Sequence, residues 1–385
     1  MMTRYLVPLC VVTIAGLLGH IGSFKFDCRK KRQSDPCKID NWNPSEEGYF
    51  VLKYTPENSS RATLRNLQAS TLDGQFCTEL GNVFESFTIE NSPMLKTASF
   101  YHDCNVSGVE LFKSSIFRVT FEQNSFIRDF KIKNSPMRSI PPTLSNLLNV
   151  GKILIRMCKI ESVDLNSFCP LNNLEFLNLG QNKITYIQRL TNASCMPNLS
   201  IIDLDYNELK RINFEVFWPL ANLKQFNFRN NKIDTISGKL MNPDVHNLIL
   251  SHNRLKVLDF CNWQGTQVIS LNLMSNNLTR VPRCLYKILS KNTKMIPLRI
   301  NQIERFEAED FEQLPNVEMI DMSHNKIVSI PLNESLYPPM LVALNLYENQ
   351  IVSVPNGTFE RIRVRLGETP AQMKSSYYLR SRLKI

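Results

Sequence analysis

Histidine acts as an acid, a base or a metal ligand near neutral pH, so its positions are a first test for catalysis. Five histidines occur in this chain of 385 residues, among them His102, His246, His252 and His324. None falls in a Ser/His/Asp set or a Cys/His pair, and no glycine loop suited to phosphate accompanies them. The sequence therefore predicts that the chain is not an enzyme and uses no cofactor.

Cysteine is the other reactive side chain, and its cellular compartment decides its chemistry. Residues 1–23 combine Arg4, a short apolar run and small residues at the end, which is the layout of a secretory signal peptide. A membrane anchor is the alternative, but a spanning helix needs about 20 apolar residues. We expect a secreted, extracellular protein in which the nine cysteines beyond Cys10 form disulfides where geometry permits. A metal site is not expected, because no CxxC motif or Cys/His cluster occurs.

A repeated sequence pattern predicts the secondary-structure elements that position these side chains. The skeleton LxxLxLxxNxL, with Ile, Val, Phe or Met exchanged for Leu, recurs twelve times at intervals of 21 to 25 residues. A clear copy runs through Leu174, Leu177, Leu179, Asn182 and Ile184. This is the pattern of the leucine-rich repeat, whose units stack into a solenoid. The Asn position is occupied in order by Ser92, Ser114, Ser135, Cys158, Asn182, Asn207, Asn231, Asn253, Asn276, Asn301, Asn325 and Asn349.

Each LxL pair predicts a short strand whose apolar side chains point inward while the intervening residues face the concave side. One unit cannot bury its apolar edge alone, so neighbouring units must stack and the two ends need caps. The predicted fold class is α/β: a leucine-rich repeat solenoid (horseshoe) with a concave parallel β-sheet, about 12 repeats and a disulfide-stapled amino-terminal cap. The predicted boundaries are 24–83 for the cap and lead-in, 84–362 for the solenoid and 363–385 for a basic tail, disordered or aberrant.

Two irregularities interrupt the repeat. The first four copies carry Ser or Cys in the Asn position, and because these side chains satisfy fewer backbone groups we expect a less regular amino-terminal third. Pro297 falls within a predicted strand, where proline removes a ladder donor. A kink or a sheet edge is therefore predicted at Pro297.

The repeat register also predicts disulfide partners. Cys261 and Cys284 both lie eight residues after their register Asn in adjacent repeats, which places them about 5 Å apart, a suitable disulfide separation. Cys158 stands in an Asn position and is predicted to be a buried free thiol. The other pairs predicted from similar positions are Cys28 with Cys37, Cys77 with Cys104 and Cys169 with Cys195.

Seven N-x-Ser/Thr sequons agree with secretion. Those on the convex side or in loops are the better candidates, since a glycan at Asn277 would crowd the concave rim. The predicted glycosylation sites are Asn58, Asn105, Asn192, Asn198, Asn277, Asn333 and Asn356.

The net charge of +10 comes largely from the end of the chain, where residues 361–384 hold seven basic residues and one acidic residue. No basic stripe interleaved with aromatics accompanies this charge, so nucleic acid is not an expected partner. The repeat pattern stops near residue 362 and would leave an open edge. Three explanations stay open: the tail covers the edge, another chain covers it, or the sequence ends in a truncated or misspliced segment.

Residues that flank the inward leucines are the predicted partner-binding surface. The early members are basic, and the later ones are mixed with aromatics; Tyr and Arg often contribute most of the binding energy at interfaces. The alternative is that these residues only keep the sheet soluble. The candidates are Lys131, Lys133, Lys152, Arg156, Asp205, Tyr206, Arg229, His252, Arg299 and Tyr347.

The whole layout resembles the secreted leucine-rich immune proteins of mosquitoes. The resemblance rests on the signal segment, the opening from Phe24 through Cys28 and Cys37 to Asn41, and a dozen irregular repeats rich in Phe and Asn, and it covers residues 1–360. It implies a partner, either a complement-like thioester protein or another leucine-rich repeat chain. Members of that family continue into a coiled coil, and no heptad seam follows Ile362 in this chain.

These observations predict a secreted leucine-rich repeat recognition protein that binds other proteins through its concave face, in a complement-like pathway of innate immunity. The alternative is an extracellular adhesion or matrix protein, or a fragment of a Toll-like receptor ectodomain, which such repeats also resemble. The predicted partner is an extracellular protein, with no nucleic acid and no membrane span.

Overall fold

The computed structural model describes residues 23–28, 35–57, 59–192, 194–263, 267–311 and 313–366. The predicted signal peptide up to residue 22, the sequon at Asn58 and the tail beyond residue 366 lie outside the described residues. The strands are β1 (Lys25–Asp27), β2 (Cys37–Asp40), β3 (Arg61–Arg65), β4 (Thr71–Leu72), β5 (Ser86–Ser92), β6 (Thr97–Phe100), β7 (Gly108–Ser114), β8 (Arg118–Phe121), β9 (Asp129–Lys133), β10 (Lys152–Arg156), β11 (Ser162–Asp164), β12 (Phe176–Asn178), β13 (Tyr186–Gln188), β14 (Ile201–Asp203), β15 (Arg211–Asn213), β16 (Gln225–Asn227), β17 (Thr235–Ser237), β18 (Asn247–Ile249), β19 (Ser270–Asn272), β20 (Met295–Pro297), β21 (Met319–Asp321), β22 (Ala343–Asn345) and β23 (Arg363–Arg365). The α-helices are α1 (Pro44–Glu47) and α2 (Gly74–Gly81), and 3-10 helices lie at Phe50–Tyr54, Leu144–Asn146, Leu165–Phe168, Phe214–Phe217, Leu285–Lys287, Ala308–Phe311 and Glu334–Leu336.

The predicted fold is confirmed. A twelve-stranded sheet takes one strand from each unit in the order β1-β2-β3-β5-β7-β9-β10-β12-β14-β16-β18-β19, and only the β1–β2 pair is antiparallel. The alternating leucine-type side chains of each strand are buried; Leu177 and Leu179 have no exposed surface. Short strand pairs and 3-10 helices form the opposite side of each unit, for example β11 with β13. The apolar core therefore runs along the whole array between the two sides.

The Asn position ties each unit to the unit before it. The Asn207 amide nitrogen donates to the carbonyls of Leu179, Leu204 and Asp205 at 3.0–3.1 Å, and its oxygen accepts the Ile184 N–H at 3.0 Å. A buried backbone group without a partner costs free energy, so a side chain that satisfies four of them is a strong structural constraint.

The expectation of a less regular amino-terminal third is wrong. Strands β5 and β7 have seven residues each, whereas most later strands have three, and β4, β6 and β8 form a second sheet on the opposite side. Ser92 accepts the Leu67 N–H at 3.0 Å and donates to the Glu90 carbonyl at 3.1 Å. The shorter hydroxyl thus satisfies backbone groups that lie closer to it, and the strands extend to include the serine.

Cys158 is a buried free thiol, as predicted. Burial raises the pKa of Cys158 to about 11, and a backbone hydrogen bond at Ser135 opposes the rise. A thiol with so high a pKa holds little thiolate at neutral pH, so Cys158 fills core space instead of reacting. The four predicted disulfides also form: Cys28–Cys37, Cys77–Cys104, Cys169–Cys195 and Cys261–Cys284.

The sheet begins before the first recognisable repeat. Strands β2 and β3 lie within the predicted cap and lead-in and pair in parallel, and β3 pairs with β5. Trp42 follows β2, is fully buried and packs 5.7 Å from both Tyr49 and Phe76 between ring centroids. These aromatics cover the amino-terminal end of the core, where the Cys28–Cys37 disulfide also lies.

The interruption predicted at Pro297 is confirmed. The twelve-stranded sheet stops at β19, and β20 to β23 form a separate four-stranded parallel sheet. Proline has no N–H to donate towards β19. Backbone hydrogen bonds resume just beyond the strand, where Ser275 donates to the Arg299 carbonyl at 2.9 Å, so the solenoid continues across the gap.

The predicted end of the solenoid at residue 362 is too early. Strand β23 lies beyond it and pairs in parallel with β22, with Val364 beside Leu344. Val364 follows Leu344 by 20 residues, which is shorter than the interval of 21 to 25 residues in the other repeats. The predicted spacing therefore did not identify this strand. Arg361 occupies the position of the first leucine in this unit. Its guanidinium donates to the Pro338, Pro339 and Leu341 carbonyls at 2.6–3.0 Å.

A left-handed residue precedes the Asn position in every repeat, where the strand ends and the chain turns. Only Gly, Asn and Asp adopt this conformation at little cost, and a β-branched residue there is an outlier. Ile300 is such a residue, with φ of 56° and 43% of its surface exposed. The column comprises Asn41, Asn66, Asn91, Lys113, Asn134, Met157, Gln181, Tyr206, Asn230, His252, Ser275, Ile300, His324 and Glu348.

Ile300→Asn is expected to raise the free energy of unfolding by about 1 kcal/mol, because asparagine tolerates the left-handed region. Urea unfolding followed by circular dichroism measures the change. The reciprocal variant Asn230→Ile, at the same position of an earlier repeat, is the matched control and should lose a similar amount. Loss of stability in Ile300→Asn would show that the isoleucine side chain contributes more packing than its backbone strain costs.

Candidate functional site

All ten predicted partner-binding residues lie on the concave strands or directly after them. The strand register aligns them in columns: Lys152 of β10 lies between Asp129 and Phe176 of its neighbours, and Lys152 is exposed. Because the columns are fixed by backbone hydrogen bonds of the sheet, their side chains are presented on a rigid surface.

Two of the three early lysines, Lys131 and Lys133, are neutralised by neighbouring carboxylates. Lys131 lies 2.9 Å from Asp129, and Lys133 lies 2.8 Å from Glu110. The amino-terminal concave face is thus an alternating ladder of charges and not the basic surface that the lysines alone suggested. Half-exposed pairs of this kind contribute little stability, and they leave no net charge to attract an acidic partner.

Arg156 and Asp205 form an ion pair that spans the strand between them. The Arg156 Nη2 atom lies 3.0 Å from Asp205 Oδ1, and the two side chains are only 23% and 13% exposed. Gly180 lies beneath this pair, and a Cβ at Gly180 would come within 1.9 Å of the Asp205 carboxylate. The absence of a side chain at Gly180 therefore lets two residues from non-adjacent repeats meet.

Asp205 lies beside one other carboxylate, Asp203, and one cation, Arg156. Burial and the neighbouring Asp203 carboxylate raise the pKa of Asp205, and Arg156 opposes the rise. Asn178 Nδ2 donates to Asp203 Oδ2 at 3.0 Å and so stabilises the second carboxylate. Tyr206, next in sequence, is 46% exposed. This arrangement presents an exposed phenol beside a fixed, half-buried ion pair.

Arg229 and His252 continue the surface in the next two repeats. The Tyr206 N–H donates to the Arg229 carbonyl at 2.8 Å, and the Arg229 side chain is exposed. Burial and the Arg229 guanidinium lower the pKa of His252, which favours the neutral imidazole.

A chain of cationic and aromatic side chains closes the carboxyl-terminal end of the concave face. Arg299 Nη2 lies 3.4 Å from His324 Nε2, and the His324 and Tyr347 rings lie 5.5 Å apart in an edge-on arrangement. Arg365 lies over the Tyr347 ring at 5.5 Å. Sequence reasoning selected Arg299 and Tyr347 and missed His324 and Arg365; the register step that placed His252 would also have placed His324.

The concave Asn column is structural. Asn178, Asn227, Asn272 and Asn345 each accept a hydrogen bond from the backbone N–H two residues later, at 3.0–3.3 Å. These bonds shape the end of each strand, so each amide oxygen already has a structural role.

Among the described residues one group of three side chains could offer metal ligands: Asp259, Cys261 and Cys284. The two sulfurs are joined in a disulfide, which leaves one carboxylate and no metal-binding set. Within the residues that the structure describes, no helix is both long enough and apolar enough to cross a bilayer. Six of the seven sequon asparagines are described, and all six are exposed: Asn105, Asn192, Asn198, Asn277, Asn333 and Asn356.

Comparison with known proteins agrees with this geometry. A family model described as leucine rich repeat matches residues 266–327. The chain is a leucine-rich repeat solenoid. Two solved structures are similar to this solenoid: a leucine-rich repeat protein of Leptospira interrogans, with a TM-score of 0.53, 17% identity and coverage of 82% of this chain and 93% of that one, and an internalin of Listeria monocytogenes, with a TM-score of 0.56, 14% identity and coverage of 83% and 88%. Likeness at this identity shows the fold alone.

Curated proteins similar to the solenoid include podocan of Mus musculus, 24% identical over 238 residues that cover 60% of this chain and 34% of podocan. Chaoptin of Drosophila melanogaster is 29% identical over 209 residues, or 54% of this chain and 14% of chaoptin. Keratocan of Bos taurus is 28% identical over 248 residues, or 62% and 67%. The solenoid thus spans about a third of podocan and a seventh of chaoptin.

Proposed function

We propose that this solenoid recognises other proteins through its concave face. The observation that carries the proposal is the exposed pair Tyr206 and Arg229, joined through the backbone and set beside the Arg156–Asp205 ion pair. Tyr and Arg are the residue types that most often dominate binding energy, and a rigid strand array lowers the entropy lost on association.

The double variant Tyr206→Ala/Arg229→Ala is expected to weaken partner capture at least about tenfold, because it removes two hot-spot side chains at the centre of the face. The matched control is Tyr186→Ala/Arg211→Ala, which changes the same residue types on exposed strands of the convex side. Capture from extracellular fluid under native conditions, quantified by mass spectrometry, measures the difference. Equal capture by the two double variants would refute the concave site.

We further propose that the protein acts outside the cell. The signal segment at residues 1–23, the four disulfides and the exposed sequons support this compartment. Expression in secretory cells should release a product that loses mass on enzymatic removal of N-glycans. Retention of an unglycosylated product inside the cells would contradict secretion.

A role in innate immunity is the more specific proposal, supported by the resemblance to the secreted leucine-rich immune proteins of mosquitoes. Native capture should then recover a thioester-containing, complement-like protein or a second leucine-rich repeat chain. Recovery of matrix proteins alone would favour the alternative, an extracellular adhesion or matrix module that uses the same face.

A further inference from the structure

The last repeats of the concave face carry apolar and cationic side chains together. We call the carboxyl-terminal patch the set Met295, Ile300, Met319, Arg299 and Arg363. Met295 and Met319 are register partners on adjacent strands, and Met295 is 43% exposed. Arg363 continues the same column two strands later.

Charge in this patch is not balanced as it is in the early repeats. Within the described ranges no ion pair engages Arg299 or Arg363. The nearby carboxylate of Asp321 is 9% exposed and accepts from the Ser323 N–H at 3.1 Å and Asn345 Nδ2 at 3.0 Å, so two exposed cations face one largely buried carboxylate. The patch therefore presents positive charge to solvent and complements an acidic ligand.

The apolar part of the patch includes a residue whose backbone conformation is strained. Ile300 holds a left-handed backbone conformation in which a β-branched side chain is strained, and yet 43% of its surface is exposed. Methionine adds a flexible and polarisable contact surface suited to aliphatic partners.

We infer that the carboxyl-terminal patch binds an extended acidic segment of a partner protein, with its carboxylates on Arg299 and Arg363 and its aliphatic side chains over Met295 and Met319. This inference rests on the proposed function and names the chemistry of its partner. Interleaved methionine and arginine favour a peptide over a sulfated polysaccharide, because a polyanion without apolar groups would leave Met295 and Ile300 in water.

Fluorescence anisotropy with synthetic labelled peptides tests the inference on the full chain. A peptide of the repeat Asp-Ser-Leu-Ser (the Asp/Leu peptide) presents Asp and Leu on the same face of an extended chain. It should bind at least about tenfold more tightly than a peptide of the repeat Asp-Ser-Ser-Ser (the Asp/Ser peptide), and a peptide of the repeat Lys-Ser-Leu-Ser should not bind. Arg299→Ala/Arg363→Ala and Met295→Ser/Met319→Ser should each weaken the Asp/Leu peptide at least about tenfold. Arg189→Ala/Arg211→Ala, on the convex side, is the control and should leave it unchanged. Ile300→Asn should weaken binding while it stabilises the fold, which separates binding from folding.

Failure of the Asp/Leu peptide to bind would overturn the inference, as would equal binding of the Asp/Ser peptide or of heparin, which would indicate a general polyanion surface. Neither result contradicts the proposed function if partner capture still depends on Tyr206 and Arg229. The proposed function fails separately, when capture of the partner is insensitive to that pair.

Discussion

Replacing Asn207 by alanine is expected to lower the free energy of unfolding by about 3 kcal/mol or more. The substitution removes four buried hydrogen bonds at once and leaves the Ile184 N–H without its acceptor. The carbonyls of Leu179, Leu204 and Asp205 each lose one of two donors and keep the other. The unsatisfied N–H costs about 1–3 kcal/mol and each hydrogen bond lost at a carbonyl costs about 0.5–1.5 kcal/mol, whereas water entering the cavity recovers part of the loss. Chemical unfolding followed by circular dichroism measures the change.

Asn222→Ala is the matched control, since Asn222 is exposed and makes a single side-chain bond to the Pro197 carbonyl. Its loss should cost less than about 1 kcal/mol. An Asn207→Ala protein as stable as the Asn222→Ala protein would mean that the ladder does not hold the repeats together. A local effect would appear as faster hydrogen exchange confined to the neighbouring repeats, because solenoid stability is a sum of nearest-neighbour terms.

The parts of the fold that could be predicted were those fixed by side-chain type at constant spacing. Stacking one unit on the next explains the inward leucines and the Asn position. It also explains the disulfide between Cys261 and Cys284, which lie at equal offset from that position. The earlier strand β3 was missed because its inward residues are Ala62 and Leu64 and because Leu67 occupies the Asn position. Asn41 and Asn66, 25 residues apart and both left-handed, were the available signal.

The candidate site was predictable as a set of positions but not as a set of interactions. Sequence placed Lys131 and Lys133 on the concave face correctly, yet their partners lie on the same strand in one case and 23 residues earlier in the other. Which carboxylate each lysine reaches depends on the sheet register and on rotamers that alternation alone does not specify. The same holds for Arg156, whose partner Asp205 lies two repeats away across a glycine.

Arg156→Met is expected to lower the free energy of unfolding by about 2 kcal/mol at neutral pH. Breaking a buried ion pair costs about 3–5 kcal/mol and an exposed one at most about 1, and these side chains, 23% and 13% exposed, fall between the two cases. The substitution removes the cation that opposes the raised pKa of Asp205, so that pKa should rise further. Thermal unfolding across a pH series measures both effects.

The sign of the pH dependence follows from that pKa. A carboxyl group whose pKa is higher in the folded state than in the unfolded state favours folding while it is protonated, and this stability is lost as the pH rises through the folded pKa. The deficit of Arg156→Met should therefore be small near about pH 4 and grow towards neutral pH. Arg156→Met/Asp205→Asn should recover most of the deficit and remove its pH dependence, because no uncompensated carboxylate remains at position 205.

Arg138→Met provides the matched control for charge loss on the surface. The Arg138–Glu161 pair is 3.7 Å apart with side chains 75% and 64% exposed, so its removal should change stability by less than about 0.5 kcal/mol at any pH. A pH-independent deficit in Arg156→Met, or one equal to that of Arg138→Met, would mean that Asp205 is solvated and unstrained. The ion pair would then be a surface contact, and Tyr206 and Arg229 would lie beside a mobile side chain instead of a fixed one, which removes the preorganisation on which the concave binding site depends.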